Sequence, residues 1–247
     1  MTKRYVGSSG HGLKIRGAKH FIDEVDEARK VTNEVHRILT TQYEGAGIVF
    51  HDNTSTTQNQ NLQTIVNYHN KQQRDLDWSI HFNAASVIDG PRGVEVLYYD
   101  AKDLATKVSA AIAKASGLKD RGAKQRAELY FLRNTNKPAI LLEICFVDSK
   151  ADVELYHKNF NAICSAIATS LAAYLGYTKN HTEQTMKPKE EPQVTNTLTS
   201  TAKQDLKDLL KETKKRGILK IDHSDRVDCM SGSDALGLLI SVVKRTL

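Results

Sequence analysis

Residues 139–147 read Ala-Ile-Leu-Leu-Glu-Ile-Cys-Phe-Val, an apolar run rich in branched side chains that carries a single carboxylate, Glu143. A run of this length and composition is read as a buried strand, and the rest of the chain must fold around it. A lone carboxylate in such a strand costs several kcal/mol, in order of magnitude, unless it is paired, hydrogen-bonded or beside a metal. The chain therefore has to supply a partner for Glu143. Two further apolar segments end in histidine: Tyr5-Val6-Gly7-Ser8-Ser9-Gly10-His11 and Trp78-Ser79-Ile80-His81-Phe82-Asn83. Read together, the three segments predict a metal site with a general base.

From residue 1 to about 177 the chain alternates strand-like and helix-like segments. Strands are expected over 4–8, 45–50, 78–83, 94–99, 129–132 and 139–147. A helix is expected over 24–40, where Val25, Ala28, Val31, Val35, Ile38 and Leu39 recur at helical spacing. Others are expected over 55–74, over 101–116 closed by Gly117, and over 160–175 closed by Gly176. Strands separated by helices predict an α/β fold: a mixed, mainly parallel twisted sheet flanked by helices. Ligands in such sheets gather at the carboxyl ends of strands, which is where His11 and His81 fall.

Residues 178–201 lose apolar periodicity around Lys187-Pro188-Lys189-Glu190-Glu191-Pro192, which predicts a solvated linker. Beyond it, a helix over 202–216 stopped by Gly217, a short strand over 218–221 and a helix over 233–247 make a small α-rich domain. The expected organisation is thus 1–177, 178–201 and 202–247. The last piece is short for a free-standing core, which favours dimerisation or packing on a neighbour.

The formal net charge of +6 suits a polyanionic partner such as a nucleic acid or an anionic wall or membrane surface. Nucleic acid is disfavoured, because no basic stripe interleaved with aromatics, RNA-binding signature or zinc finger is present. No segment approaches the ~18 apolar residues that span a bilayer, so no membrane insertion is expected. Lys3 and Arg4 have no apolar signal core behind them. The chain is expected to be made in the cytoplasm and to reach the outside only when something else releases it. Cys145, Cys164 and Cys229 sit in apolar settings with no metal-binding spacing and read as buried thiols.

A catalytic zinc takes three protein ligands, commonly two histidines and a carboxylate, and keeps a fourth position for water. His11 and His81 supply the first two. Asp23, Glu24, Asp26 and Glu27 all compete for the third place, and an acidic first helical turn also suits the helix dipole. The remaining histidines read as surface or packing residues, with His69 the first exception to look for.

Gly10-His11-Gly12, a glutamate opening the first helix, Ser79-Ile80-His81-Phe82-Asn83-Ala84 and Leu142-Glu143-Ile144-Cys145-Phe146-Val147-Asp148 together resemble the zinc-dependent N-acetylmuramoyl-L-alanine amidases of bacterial wall and phage lysis enzymes. Thr54-Ser55-Thr56-Thr57, Ile65 to Asn70, Gly93 to Val96 and Arg121-Gly122-Ala123-Lys124 are similar to the phage endolysin branch. Ser8-Ser9 stands where many bacterial members have Asp-Pro. The resemblance covers residues 1 to about 177 and selects Glu24 as the third zinc ligand, with Glu143 as general base. It implies hydrolysis of the amide between N-acetylmuramic acid and the L-alanine of peptidoglycan, at the bacterial wall during phage lysis. Asn83, Arg121 and residues 131–134, Asn134 included, are candidates for the substrate groove. Residues 195–247 look similar to the small wall-binding domain of several Bacillus phage amidases. A zinc peptidase acting within the stem peptide and a non-catalytic wall-binding protein are the competing readings.

Overall fold

The computed structural model describes residues 2–180, 200–219, 224–229 and, further on, Ala235, Leu238, Leu239 and Val242. The chain divides into two compact units, Met1–Thr182 and Glu183–Leu247.

The first unit is built on a six-stranded sheet. Its strands are β1 (Arg4–Ser9), β2 (Ala46–Phe50), β3 (Leu76–Asn83), β4 (Val94–Tyr98), β5 (Asp120–Gln125) and β6 (Ala139–Phe146), in the order β2-β1-β3-β6-β4-β5. β2, β1, β3 and β6 run parallel, β4 is antiparallel to β6, and β5 runs parallel to β4. The expected mixed, mainly parallel sheet is what forms. The four parallel strands discharge their carboxyl ends on one edge.

Strand periodicity sorts the side chains. Trp78, Ile80 and Phe82 of β3 and Ile140, Leu142 and Ile144 of β6 face the larger core, under α1 (Glu24–Thr41), α3 (Lys102–Ser116) and α6 (Phe160–Leu175). The register pairs Asp77 with Ala139, Ser79 with Leu141 and His81 with Glu143, which puts these residues on the opposite face. There a smaller core of Ile65, Val66, Leu97, Phe131, Leu132, Ala139 and Leu141 lies under α2 (Gln58–Lys71) and α4 (Tyr130–Asn134). This smaller cover stops short of the carboxyl ends of β3 and β6 and leaves a cleft there.

One expected strand of this unit needs correction, and two elements appear that were not expected. Residues 129–132 are not a strand: Tyr130–Asn134 is the short helix α4, whose Phe131 and Leu132 face the smaller core. A four-residue apolar run has no period of its own, so burial decides its form. Asp120–Gln125, a polar segment, is the edge strand β5, where solvent on one side tolerates polar residues. Lys150–Lys158 is a helix, α5, capped by Ser149, whose side chain accepts from the Asp152 N–H.

In the second unit, α7 (Ser200–Lys215) and a short 3-10 helix (Ser224–Cys229) contribute to a cluster of Leu206, Leu210, Leu219, Val227, Ala235 and Val242. Gly217 takes a φ of 72°, and the Ile218 N–H returns to the Thr213 carbonyl to close α7. Ile218 and Leu219 belong to that closure and not to the short strand expected over 218–221, whose last two residues lie outside the described residues. Ala235, Leu238, Leu239 and Val242 have helical backbone. Most of the expected linker, 181–199, lies outside the described residues. Among the described residues no helix is long and apolar enough to cross a membrane.

Candidate metal centre

His11 and His81 sit where β1 and β3 end, and Glu24 is the first residue of α1. The chain reaches Glu24 through a loop pinned by Arg16, which forks onto Asp23 at 2.9 and 2.8 Å. Asp23 caps α1 by accepting from the Val25 N–H. It is therefore occupied, whereas Glu24 turns inward. Glu24 Oε1 lies 3.1 Å from His81 Nδ1 and 3.4 Å from His11 Nε2. One ligand atom from each of the three residues lies within 4.8 Å of the others. Zinc–ligand bonds of about 2.0–2.1 Å at tetrahedral angles separate ligand atoms by roughly 3.3 Å. Two imidazoles and a carboxylate at these separations fit a three-ligand zinc site.

Glu24 is otherwise satisfied by backbone: Oε1 accepts from the Phe82 N–H at 3.1 Å and Oε2 from the Ala18 N–H at 2.8 Å. Burial works to raise its pKa, but hydrogen bonds and charge from the two histidines outweigh burial and hold the carboxyl well below its usual range. Burial lowers the His81 pKa against the pull of Glu24, which favours the neutral imidazole that ligates metal. Two glycines make room for the triad. A Cβ on Gly10 would stand 1.7 Å from His81 Nε2, and one on Gly17, whose φ is 68°, would stand 2.4 Å from Glu24 Oε2.

A buried hub behind the triad escaped the sequence reading. Asp52 Oδ1 accepts from the Thr54 and Ser55 N–H groups, and Oδ2 from the Asn61 amide at 2.9 Å. The Asp52 carbonyl accepts from the Leu13 N–H at 2.8 Å and from Arg29. One residue thus ties the His11 loop, α1 and α2 together.

Glu143 faces the same side as His81, its register partner on β3. It is half-buried, and its Oε2 is shielded from solvent with no hydrogen-bond partner among the described residues. Burial, then the charges of Glu24 and Glu95, push its pKa up to about 8. It borders a cleft of about 210 Å³. His11 and His81 share that cleft, and Gln58, Leu62, Tyr130 and Phe131 wall it.

On the other flank of Glu143 stands Glu95 of β4, its antiparallel register partner. Glu95 is buried and accepts from Asn83 Nδ2 at 3.0 Å, Arg121 Nε at 2.6 Å and Lys124 Nζ. Asn83 and Arg121 therefore meet beside the centre, through a residue the sequence reading passed over. The signal was available: Glu95 lies within an apolar strand, as Glu143 does. Asn134 is not gathered with them. Its amide caps the Tyr130 carbonyl at the end of α4. His69 lies apart from the triad, fully buried, with Nδ1 2.8 Å from Asp77, which Arg74 also grips twice at 2.8 Å. Cys145 and Cys164 are free, buried thiols, and the Cys229 side chain lies outside the described residues.

Fold and site together define a class: an α/β domain with a three-donor metal-type centre at the strand ends and a carboxylate beside it. The chain belongs to the N-acetylmuramoyl-L-alanine amidase family, whose model matches residues 8–173 and so spans the triad, Glu143 and Glu95. It is 31% identical over 196 residues to an endolysin of Bacillus phage SPP1, covering 72% of this chain and 68% of that protein. It is 30% identical over 186 residues to an uncharacterized protein of Clostridium perfringens, covering 73% of this chain and 53% of that one. A second C. perfringens relative is matched over 44% of its length, so the chain spans about half of these two curated relatives. Among solved structures, an N-acetylmuramoyl-L-alanine amidase of Nostoc punctiforme superposes with a TM-score of 0.60 at 26% identity, covering 71% of this chain and 98% of that one.

Proposed function

We propose that this chain is a peptidoglycan hydrolase that cleaves the amide between N-acetylmuramic acid and L-alanine, using a zinc ion held by His11, Glu24 and His81. The observation that carries this reading is the convergence of those three donors with Glu143 at one cleft. Family membership supplies the reaction class, and the likeness to a phage endolysin supports action on cell walls. When bound, the ion supplies the Lewis acidity that makes water a nucleophile near neutral pH and polarises the scissile carbonyl.

The chain's own residues do the rest. Glu143 has a shielded Oε2 free to take the proton of the attacking water, and the same oxygen returns it to the departing amine. Glu24, anchored by the Phe82 and Ala18 N–H groups, would hold its carboxylate at the centre. Leu62, Ile65 and Phe131 give the cleft an apolar wall.

The second unit is assigned the role of holding the enzyme on a wall polymer. Two weak sites on one chain gain through effective concentration, and the net charge of +6 favours approach to an anionic surface. On this reading the enzyme acts at the wall after release from the cytoplasm.

Digestion of purified peptidoglycan tests the proposal. New L-alanine amino termini with peptide-free glycan are expected, abolished by chelation and restored by zinc. Cleavage within the peptide would replace the amidase by a peptidase. Wall binding without any cleavage would leave only a binding protein.

A further inference from the structure

Across the open face of the sheet, His81, Glu143 and Glu95 stand in one row on β3, β6 and β4, and Arg121 and Lys124 of β5 close it. The row is asymmetric about Glu143. On one side lie the triad and the apolar cleft. On the other, two cations share one carboxylate oxygen, Glu95 Oε2, which leaves a net positive charge.

Arg121 is held in a particular pose. Its Nε is fixed on Glu95 at 2.6 Å and its guanidinium lies over the Phe146 ring, 5.0 Å from the centroid. Among the described residues its two terminal nitrogens take no hydrogen bond, and its side chain is 31% exposed. Lys124 is 36% exposed and donates to Glu95 alone. A guanidinium clamped at Nε and stacked on a ring presents a planar pair of N–H donors, which matches a carboxylate. Glu95, buried and saturated by Asn83, Arg121 and Lys124, serves to aim the two cations.

We propose that Arg121 and Lys124, aimed by Glu95, form a subsite for a substrate carboxylate on the peptide side of the scissile amide, in the residue that follows the L-alanine. This rests on the amidase reading above and specifies which end of the substrate lies over β4 and β5. The distance suits it. Two strand spacings separate β6 from β5, roughly 10 Å, and side chains reaching inward shorten that to the span of about two extended residues. The glycan side of the amide is left to the cleft between α2 and α4.

The test uses the zinc-loaded full chain and two soluble disaccharide–peptide fragments of peptidoglycan. They are identical except that the α-carboxyl of the residue after L-alanine is free in one and amidated in the other. The unaltered protein should show a KM about 10- to 100-fold lower for the free acid, with similar kcat. Arg121→Gln should raise KM for the acid by a comparable factor and change that for the amidated fragment far less. Should Arg121→Gln fail to fold, Lys124→Gln takes its place with the same readout and a smaller shift. Equal losses on both fragments, or none on either, would overturn the subsite while leaving the amidase intact. Cleavage of neither fragment by the unaltered protein would overturn the amidase reading itself, and the subsite with it.

Discussion

Glu143 can be separated experimentally from the three residues beside it. Glu143→Gln removes the proposed proton acceptor and leaves His11, Glu24 and His81 in place. Zinc content should stay at that of the unaltered protein while kcat falls by about 10²–10⁴-fold. Atomic absorption alongside a turnover assay checks both halves, and retained turnover would remove Glu143 from the mechanism. The same variant reports on burial. In the metal-free protein the pKa of Glu143 is raised from 4.5 to about 8, so the folded state holds a proton that the unfolded chain releases. The fold is then unpenalised below about 4.5, loses stability as pH rises, and carries the full penalty above about 8. The stability of the metal-free Gln variant relative to the unaltered protein should therefore grow across that window in denaturant titrations. A flat difference would mean that Glu143 ionises as it does in water. Gly10 is a second point of leverage. Gly10→Ala forces a methyl carbon to within 1.7 Å of His81 Nε2, so the ring must leave its position. Zinc affinity should fall by at least about 100-fold in competition with a chelating dye, with the sheet intact by circular dichroism.

Among the elements, Asp52 shows how a loop between a strand and a helix can govern a site it does not touch. Its carboxylate caps the turn at Thr54 and Ser55 and anchors Asn61 of α2, while its carbonyl holds the Leu13 N–H just past His11. Asp52→Ala should cost about 2–3 kcal/mol and weaken zinc binding through the freed His11 loop. Burial works against the charged carboxylate, but its hydrogen bonds prevail and hold the pKa at about 2, down from 3.8. The charge-linked share of its stabilisation is complete above pH 3.8 and lost as pH falls toward 2. Denaturant midpoints of the two proteins should converge over that interval.

The same hub marks the limit of what the sequence discloses. Elements such as β3 and α1 were legible because one face of each is apolar, and β6 because it is an apolar run buried on both faces. The triad was legible in part. His11 and His81 stood out as the ends of apolar strands, but Glu24 could not be told from its acidic neighbours by spacing, because the choice depends on which of them caps α1 and which turns inward. β5 and the role of Glu95, though not its place in an apolar strand, were hidden for another reason. An edge strand carries little hydrophobic signal, and the meaning of Glu95 lies in its register against Glu143, which only pairing reveals. Asp52 is a lone acid in a polar loop, and nothing local distinguishes it.

For the whole molecule, the two units differ in what each contributes, and a cut between them tests that division. The larger unit contains the sheet, both of its core clusters and every residue assigned to catalysis. Its boundary lies beyond the last helix of the sheet domain. The Glu44 N–H donates to the Thr178 carbonyl, Lys179 bridges to Tyr43, and the Asn180 amide donates to the Thr41 carbonyl. A cut just after Tyr177 would strip these contacts, whereas one after Thr182 keeps them. The smaller unit has its own apolar cluster around Leu210 and Val227. The chain ending at Thr182 should therefore melt within a few degrees of the full chain and keep kcat/KM on soluble peptidoglycan fragments. On intact walls at low enzyme concentration it should act about 10²-fold more slowly, because the proposed second attachment and its effective concentration would be gone. Equal rates on walls would take the binding role from the second unit. A melt lowered by tens of degrees would mean that the larger unit depends on the smaller for its fold.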